Sequence, residues 1–285
     1  MAGITWGGRV CFSTRTSLTW LPETAARPAR EDVLTTQDVH SGGQGEALGH
    51  VFETKTYDDP VVLDPAIRTR WAFLETSSAA AVLRSVCPAE WADITHVLQT
   101  FSLDPKHWLK KGGNRGDVAK LIDGMFGERG WREIRVDLAT QGVMLSKDGT
   151  EVERLPEVYQ EGYLVDNFKG RVALDVEWNA KDGNLDRDLS AYRAWHEAGV
   201  ISAAVLITQD RVALKQLAER VWAEHQVTLP KDKRNAKLPI DLGTSTTTNL
   251  EKAALRVRRG VMGTCPLLVV AATQATWNGE PYSAN

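Results

Sequence analysis

The segment from Val172 to Asn179 constrains this chain more than any other. Successive side chains of a strand point to opposite faces. Read as a strand, Val172, Leu174, Val176 and Trp178 form one apolar face. Ala173, Asp175, Glu177 and Asn179 form the other. Two carboxylates therefore sit on one side of a strand inside an otherwise apolar sheet. Buried carboxylates repel each other and are costly unless something compensates them. Asp166 ends the preceding strand-like piece, and the turn from Asn167 to Gly170 can fold it back beside Asp175. Three hard oxygen donors, Asp166, Asp175 and Glu177, then converge, a set that suits Mg²⁺ with water and phosphate completing its shell. The residues alone leave a plainer reading open: a solvated polar face paired to Lys169 or Arg171.

The rest of the chain supplies a frame for that strand. Residues 1–65 are expected to form an N-terminal arm, rich in Pro, Gly, Asp, Thr and Ser over 21–60, with a short β-like pattern before it. Helix formers run from Ala66 to Val86 and, after Pro88, from Ala89 to Phe101. A basic, Gly-rich loop follows over 110–116. Asp117 to Arg129 is amphipathic, and a strand opens at Trp131. After the carboxylate segment, helices are expected over 185–198, 211–226 and 250–259. Apolar strands are expected over 200–208 and 266–272. The economical architecture is α/β, a mixed central sheet with helices on both faces, in one domain over 66–285.

Composition excludes several classes. Hydrophobic residues make up 42% and charged residues 25%, with a formal net charge of −3, which does not describe a general polycation. A basic cleft on an otherwise acidic surface remains compatible with that charge. Cys11, Cys87 and Cys265 include no Cys-x-x-Cys pair, so a thiolate zinc site is not expected. An odd cysteine count suits a reducing cytoplasm. No stretch reaches the roughly 18 apolar residues of a membrane helix, so no membrane contact is expected. The six histidines form no i, i+4 pair.

The pattern of Asp166, a turn, then Asp175-Val176-Glu177 resembles the PD-(D/E)xK nuclease motif on two adjacent strands. More specifically, residues 73–80, 110–122, 128–133, 162–183 and 246–269 resemble, in order, type II restriction endonucleases of the BglII/BstYI kind. The similarity spans roughly 66–275 and implies a restriction-endonuclease-like fold and Mg²⁺-dependent hydrolysis of double-stranded DNA at a short specific sequence. It also implies a homodimer and a cognate DNA methyltransferase acting on the same site. Asp166, Asp175 and Glu177 would be catalytic and metal-binding. Glu75, expected on the first helix, would add a fourth metal ligand or be a solvated helix residue. The departure is Glu177, which stands where the commoner motif has Lys. A second register, Asp166 with Glu177 and Asn179, stays open. Related alternatives are a repair or modification-dependent nuclease of the same fold, or a catalytically silent DNA-binding protein.

DNA contacts are expected from four places. Lys110, Lys111, Asn114 and Arg115 lie in a Gly-rich loop before a helix, where an anion is favoured. Lys169 and Arg171 flank the catalytic turn, and Arg187 and Arg193 lie on the helix after the motif. Asn179 shares the carboxylate face. Lys233, Arg234, Thr247 and Asn249 belong to a polar segment with side chains of the kind that read base edges.

Overall fold

A computed structural model describes residues 53–110, 116–178, 181–240 and 247–283. Chain order begins with β1 (Glu53–Thr54), α1 (Pro65–Arg68), β2 (Trp71–Thr76), α2 (Ala79–Val86), α3 (Pro88–Thr100), α4 (Pro105–Trp108) and α5 (Asp117–Gly127). It continues through β3 (Arg132–Thr140), β4 (Val143–Leu145), β5 (Glu151–Arg154), β6 (Val158–Lys169) and β7 (Val172–Val176). It ends with α6 (Asp182–Glu197), β8 (Ala203–Gln209), α7 (Arg211–Thr228), α8 (Leu250–Arg258) and β9 (Leu267–Ala272).

Seven strands form one mixed sheet in the order β1-β2-β9-β8-β7-β6-β3. The β7–β8 and β8–β9 pairs are parallel and the others antiparallel. Every residue of β7, β8 and β9 is buried. That is the expected state of strands covered on both faces, and it explains their near-continuous apolar sequences. One face packs Leu174, Val205 and Leu268 against α2, α3, α5 and α7, through residues such as Leu83, Ile94, Ile122 and Leu217. The other packs Ala173, Leu206 and Val269 against α6 and α8, through Leu189, Trp195 and Val257. The architecture is thus the α/β mixed sheet between helices expected from the sequence.

Helix ends follow their capping residues. Asp64, Asp104, Asp210 and Asn249 each accept a backbone N–H in the first turn of α1, α4, α7 and α8. Gly199, at φ 73°, follows the end of α6.

Two expectations need correction. Residues 66–86 are not one helix: Trp71 to Thr76 form a strand, antiparallel to β9. The Ala-rich stretch that follows does form α2. Helix propensity of Ala and Leu is a weak preference, and six backbone pairings with the buried edge of β9 override it. The interval 139–161 follows the strand that opens at Trp131. It carries the end of β3, the small β4–β5 sheet and the start of β6, all exposed. The arm expected over 1–65 lies mostly outside the described residues. Its last part belongs to the sheet from Glu53, and Leu63 is in the core.

Candidate active site

The site lies where β6 and β7 separate. Their ladder runs from Lys169 opposite Val172 to Asn167 opposite Leu174 and stops there. Beyond it, side chains take over the backbone groups. The Asp166 amide donates to Asp175 Oδ1 at 2.8 Å, and the Val176 amide donates to Asp166 Oδ2 at 3.3 Å. On the far side of β6, the register against β3 shifts by one residue between Val165 and Phe168, so Asp166 and Asn167 together face Glu133. An extra residue of this kind bends a strand and re-aims its side chains. The turn that returns the chain uses Gly170 at φ 54°, a backbone conformation suited to glycine. Asp166 therefore lies beside Asp175, as the length of the connection predicts.

The alternation of β7 also follows the sequence. Val172, Leu174, Val176 and Trp178 lie in one core and Ala173 in the other. Asp175 and Glu177 are 6% and 7% exposed, so their burial is nearly complete. The helix α6 covers them and brings two groups that sequence reasoning missed. The Tyr192 hydroxyl donates to Asp175 Oδ2. Asp188, 4% exposed, lies in hydrogen-bonding contact with Glu177. A signal was present: Leu185, Asp188, Leu189, Tyr192 and Trp195 recur at helical spacing, so Asp188 occupies a slot on an apolar stripe.

Burial, followed by the charges of Asp166 and Asp188, pushes the Asp175 carboxyl up to about 8. Burial, then Asp188 and Asp175, pushes Glu177 up to about 8. Asp188 is raised by burial, against the opposing effect of Arg187. Tyr192 is held well above its ordinary value by burial and by Asp175. The carboxylates form two pairs, Asp166 with Asp175 and Glu177 with Asp188. Among the described residues, no three acidic, His or Cys side chains converge as a ready-made metal-ligand set, so the expected convergence of Asp166, Asp175 and Glu177 is not preformed. The pairs still suit a hard cation. Glu177 Oε2 and Asp188 Oδ2 are buried without a hydrogen-bond partner. Mg²⁺ needs only one or two protein carboxylates, with water and phosphate filling its shell.

Glu75 is not part of this cluster. It lies on β2, not on a helix, and its register partner is Leu268, which packs in the core opposite to that of Asp175's neighbour Leu206. Strands β8 and β9 intervene. Its carboxylate is already occupied: Oε1 accepts from Thr54 and from Thr56 N, and Oε2 accepts from Thr56 Oγ1 and Ala80 N. Those bonds secure the β2–α2 junction, where Ser77 and Ser78 adopt positive φ.

The expected DNA contacts separate into groups. Asn114, Arg115 and Asn179 lie outside the described residues, as does Lys111. Lys110 forms an ion pair with Asp117. Lys169 sits at the turn end of β6, bound to Asp93 at 2.7 Å and to the Arg129 carbonyl at 2.8 Å, a tie that anchors the turn to α3. Arg171 donates to Gly199 O, and Arg193 pairs with Glu197. Arg234 donates to the carbonyls of Val227 and Leu229 and so closes the end of α7, while Lys233 is exposed beside it. Asn249 is buried as the cap of α8. Thr247 forms a backbone bridge with Lys181 at the start of α6, which places it at the carboxylate end of the sheet. Arg187 is exposed next to the carboxylates. It pairs with Asp188 at 2.7 Å and lies 5.5 Å over the Tyr163 ring.

A mixed sheet sandwiched by helices, with paired acids at the splayed ends of two neighbouring strands, defines the restriction-endonuclease-like class. The family model described as restriction endonuclease BglII/BglIII matches residues 71–272, well over half of the chain, and the chain belongs to that family. A search of curated proteins gave no match. The matched region runs from the first residue of β2 to the last of β9 and contains the whole carboxylate site. Among the described residues, no helix is long and apolar enough to cross a membrane.

Proposed function

We propose that the protein is a type II site-specific deoxyribonuclease that hydrolyses double-stranded DNA at a short sequence with Mg²⁺, using Asp166, Asp175 and Glu177. The supporting observation is the buried cluster itself, in which Asp175 and Glu177 are driven up to about 8 and Glu177 Oε2 has no partner. Such a cluster is costly in the free protein and is relieved by a cation. A bound divalent ion would supply Lewis-acid stabilisation of the charge building on the phosphate. Asp166 and Asp175 would hold it from adjoining strands, with Glu177 completing the set or orienting the attacking water. Tyr192 fixes the Asp175 carboxylate through its hydroxyl. Arg187, exposed beside Asp188, would meet a phosphate oxygen. The protein would act as a homodimer, because cutting both strands of a palindrome needs two sites related by a two-fold axis. A methyltransferase with the same recognition sequence would be its partner in the cell.

The test is digestion of a plasmid of known sequence, with the ends mapped. Mg²⁺ should give discrete ends at one short sequence and EDTA should abolish cutting. Asp175→Ala should lose cutting yet retain DNA binding in Ca²⁺. Cleavage that persists in chelator, or Asp175→Ala cutting at the wild-type rate, would overturn the assignment.

A further inference from the structure

We infer that Tyr163 is a positioning residue for DNA binding: its ring is the platform that holds the Arg187 guanidinium where it presents to a backbone phosphate beside the carboxylates. The inference rests on the nuclease reading of this site and adds to it a residue from β6. Three observations carry it. First, Arg187 is gripped from two sides. Its Nε donates to Asp188 Oδ1 at 2.8 Å, and its Nη2 lies 2.7 Å from the same oxygen. Its Cζ stands 5.5 Å from the centroid of the Tyr163 ring, within the range of a cation–π contact. Second, the charged side of the grip is fixed in place, because Asp188 is only 4% exposed. Third, the guanidinium is not used up. The Arg187 side chain is 40% exposed, and neither contact with Asp188 involves Nη1. The planar fork therefore keeps outward donors, the arrangement with which arginine meets phosphate oxygens.

The fold explains why these two side chains meet. The β3–β6 ladder is regular from Ile134 opposite Val165 to Val136 opposite Tyr163. Val165 is buried in the core beneath α6, and Val136 packs against it. Side chains two apart on a strand share a face, so Tyr163 also faces α6. It lies beyond the covered part of that face and stays 46% exposed, so its ring fills no core position. On α6, successive side chains point about 100° apart. Arg187 must therefore bend across the helix surface to reach the buried Asp188, and this carries its guanidinium over the Tyr163 ring. An unsupported arginine samples many rotamers and gives them up when it binds. A ring on one side and a carboxylate on the other restrict it before DNA arrives, which strengthens binding without adding a contact to the DNA.

Fluorescence anisotropy of a labelled DNA duplex, with Ca²⁺ in place of Mg²⁺, tests this apart from cleavage. The duplex carries the sequence mapped by digestion, or a mixed sequence if nothing is cut. Tyr163→Ala should weaken binding about fivefold. Tyr163→Phe keeps the ring and should recover most of that loss. Arg187→Ala should weaken binding and lower the salt dependence by about one phosphate contact per chain. In the Arg187→Ala background, Tyr163→Ala should cost nothing further, because the ring acts through the arginine. Thermal melting reports folding, and Tyr163→Leu, bulky but without an aromatic face, decides if Tyr163→Ala does not fold. Unchanged binding in the ring-less variant would overturn the inference. So would an equal loss with and without Arg187, which would mean that the ring itself touches DNA, or a Tyr163→Phe variant as weak as Tyr163→Ala. The outcomes also separate the inference from the nuclease reading. Mg²⁺-dependent cutting with no coupling between the two residues refutes the platform and leaves the nuclease standing. Coupled losses in a protein that binds duplex but never cuts it do the reverse, and a wild type that binds no duplex overturns both.

Discussion

In the outer ribbon of the sheet, Asp137 accepts hydrogen bonds from the Tyr159 hydroxyl and the Gly162 amide. Asp137 lies on β3 against β6; at the other end of β6, Asp175 on β7 accepts from the Tyr192 hydroxyl and the Asp166 amide. The donor types match, and both sites adjoin a register shift in the β3–β6 pair. Yet Asp137 is pulled down to about 2, by Arg135 first and then by Tyr159 and Gly162. Asp175 is pushed up to about 8 by burial and by its acidic neighbours. Hydrogen bonds of the same kind lower both carboxyls, but at Asp175 burial and the neighbouring acids outweigh them. The ribbon satisfies its acid with hydrogen bonds across the β3–β6 pair. The sheet interior leaves its acids in conflict, which is the condition a functional site needs and a purely structural one avoids.

The largest expected contrast is in cleavage. Glu177→Gln keeps the size of the side chain and removes its charge, so single-turnover cleavage should fall on the order of a hundredfold or more, while DNA affinity in Ca²⁺ changes little. Asp137→Asn, in the ribbon, should cut within a few-fold of wild type. Equal losses in the two variants would erase the distinction between the regions. A Glu177→Gln variant close to wild type would move the assignment to the register completed by Asn179.

Stability against pH gives an intermediate effect of opposite sign in the two regions. Asp175 has an ordinary value of 3.8 and a folded value of about 8 without metal, so the folded state binds the extra proton between these limits. Its contribution is fully present below about pH 4 and is lost as pH rises to about 8. Asp137, with a folded value of about 2, contributes stability above about pH 4 that is lost as pH falls through 2. Urea or thermal melts of metal-free protein should show Asp175→Asn gaining on wild type from pH 5 to 8. The deficit of Asp137→Asn should shrink below pH 4. Parallel curves for wild type and Asp175→Asn over pH 5 to 8 would contradict the burial argument.

The smallest effects concern the two glycines that set the strand registers. A Cβ on Gly162 would come within 1.6 Å of the Val136 carbonyl oxygen, so Gly162→Ala must displace backbone and should cost about 2 kcal/mol, within the range for strain and lost hydrogen bonds. At Gly170 the nearest obstacle is the flexible Glu90 carboxyl, and the main cost is the positive φ, about 1 kcal/mol. Melting temperatures in that order check the assignment; the reverse order would mean that the ribbon yields more easily than the catalytic turn.

The sequence by itself determined the central part of the site. Period-two alternation from Val172 to Trp178 separated acids from core, and a short connection ending in Gly170 brought Asp166 beside Asp175. Helices α5 to α8 and strands β8 and β9 were also legible, because each is apolar at one clear period between capping or breaking residues. The tertiary structure alone decided the rest. Residues 71–76 have the composition of a helix and become a strand only because β9 offers them an edge, which turns Glu75 to the opposite face and into the hydrogen bonds of Thr54, Thr56 and Ala80. The exposed ribbon has no buried face to impose a period on residues 139–161. The apolar stripe of α6 marks Asp188 as inward-facing, but only packing brings it against Glu177, because contact between residues distant in sequence is fixed by how elements dock rather than by local preference.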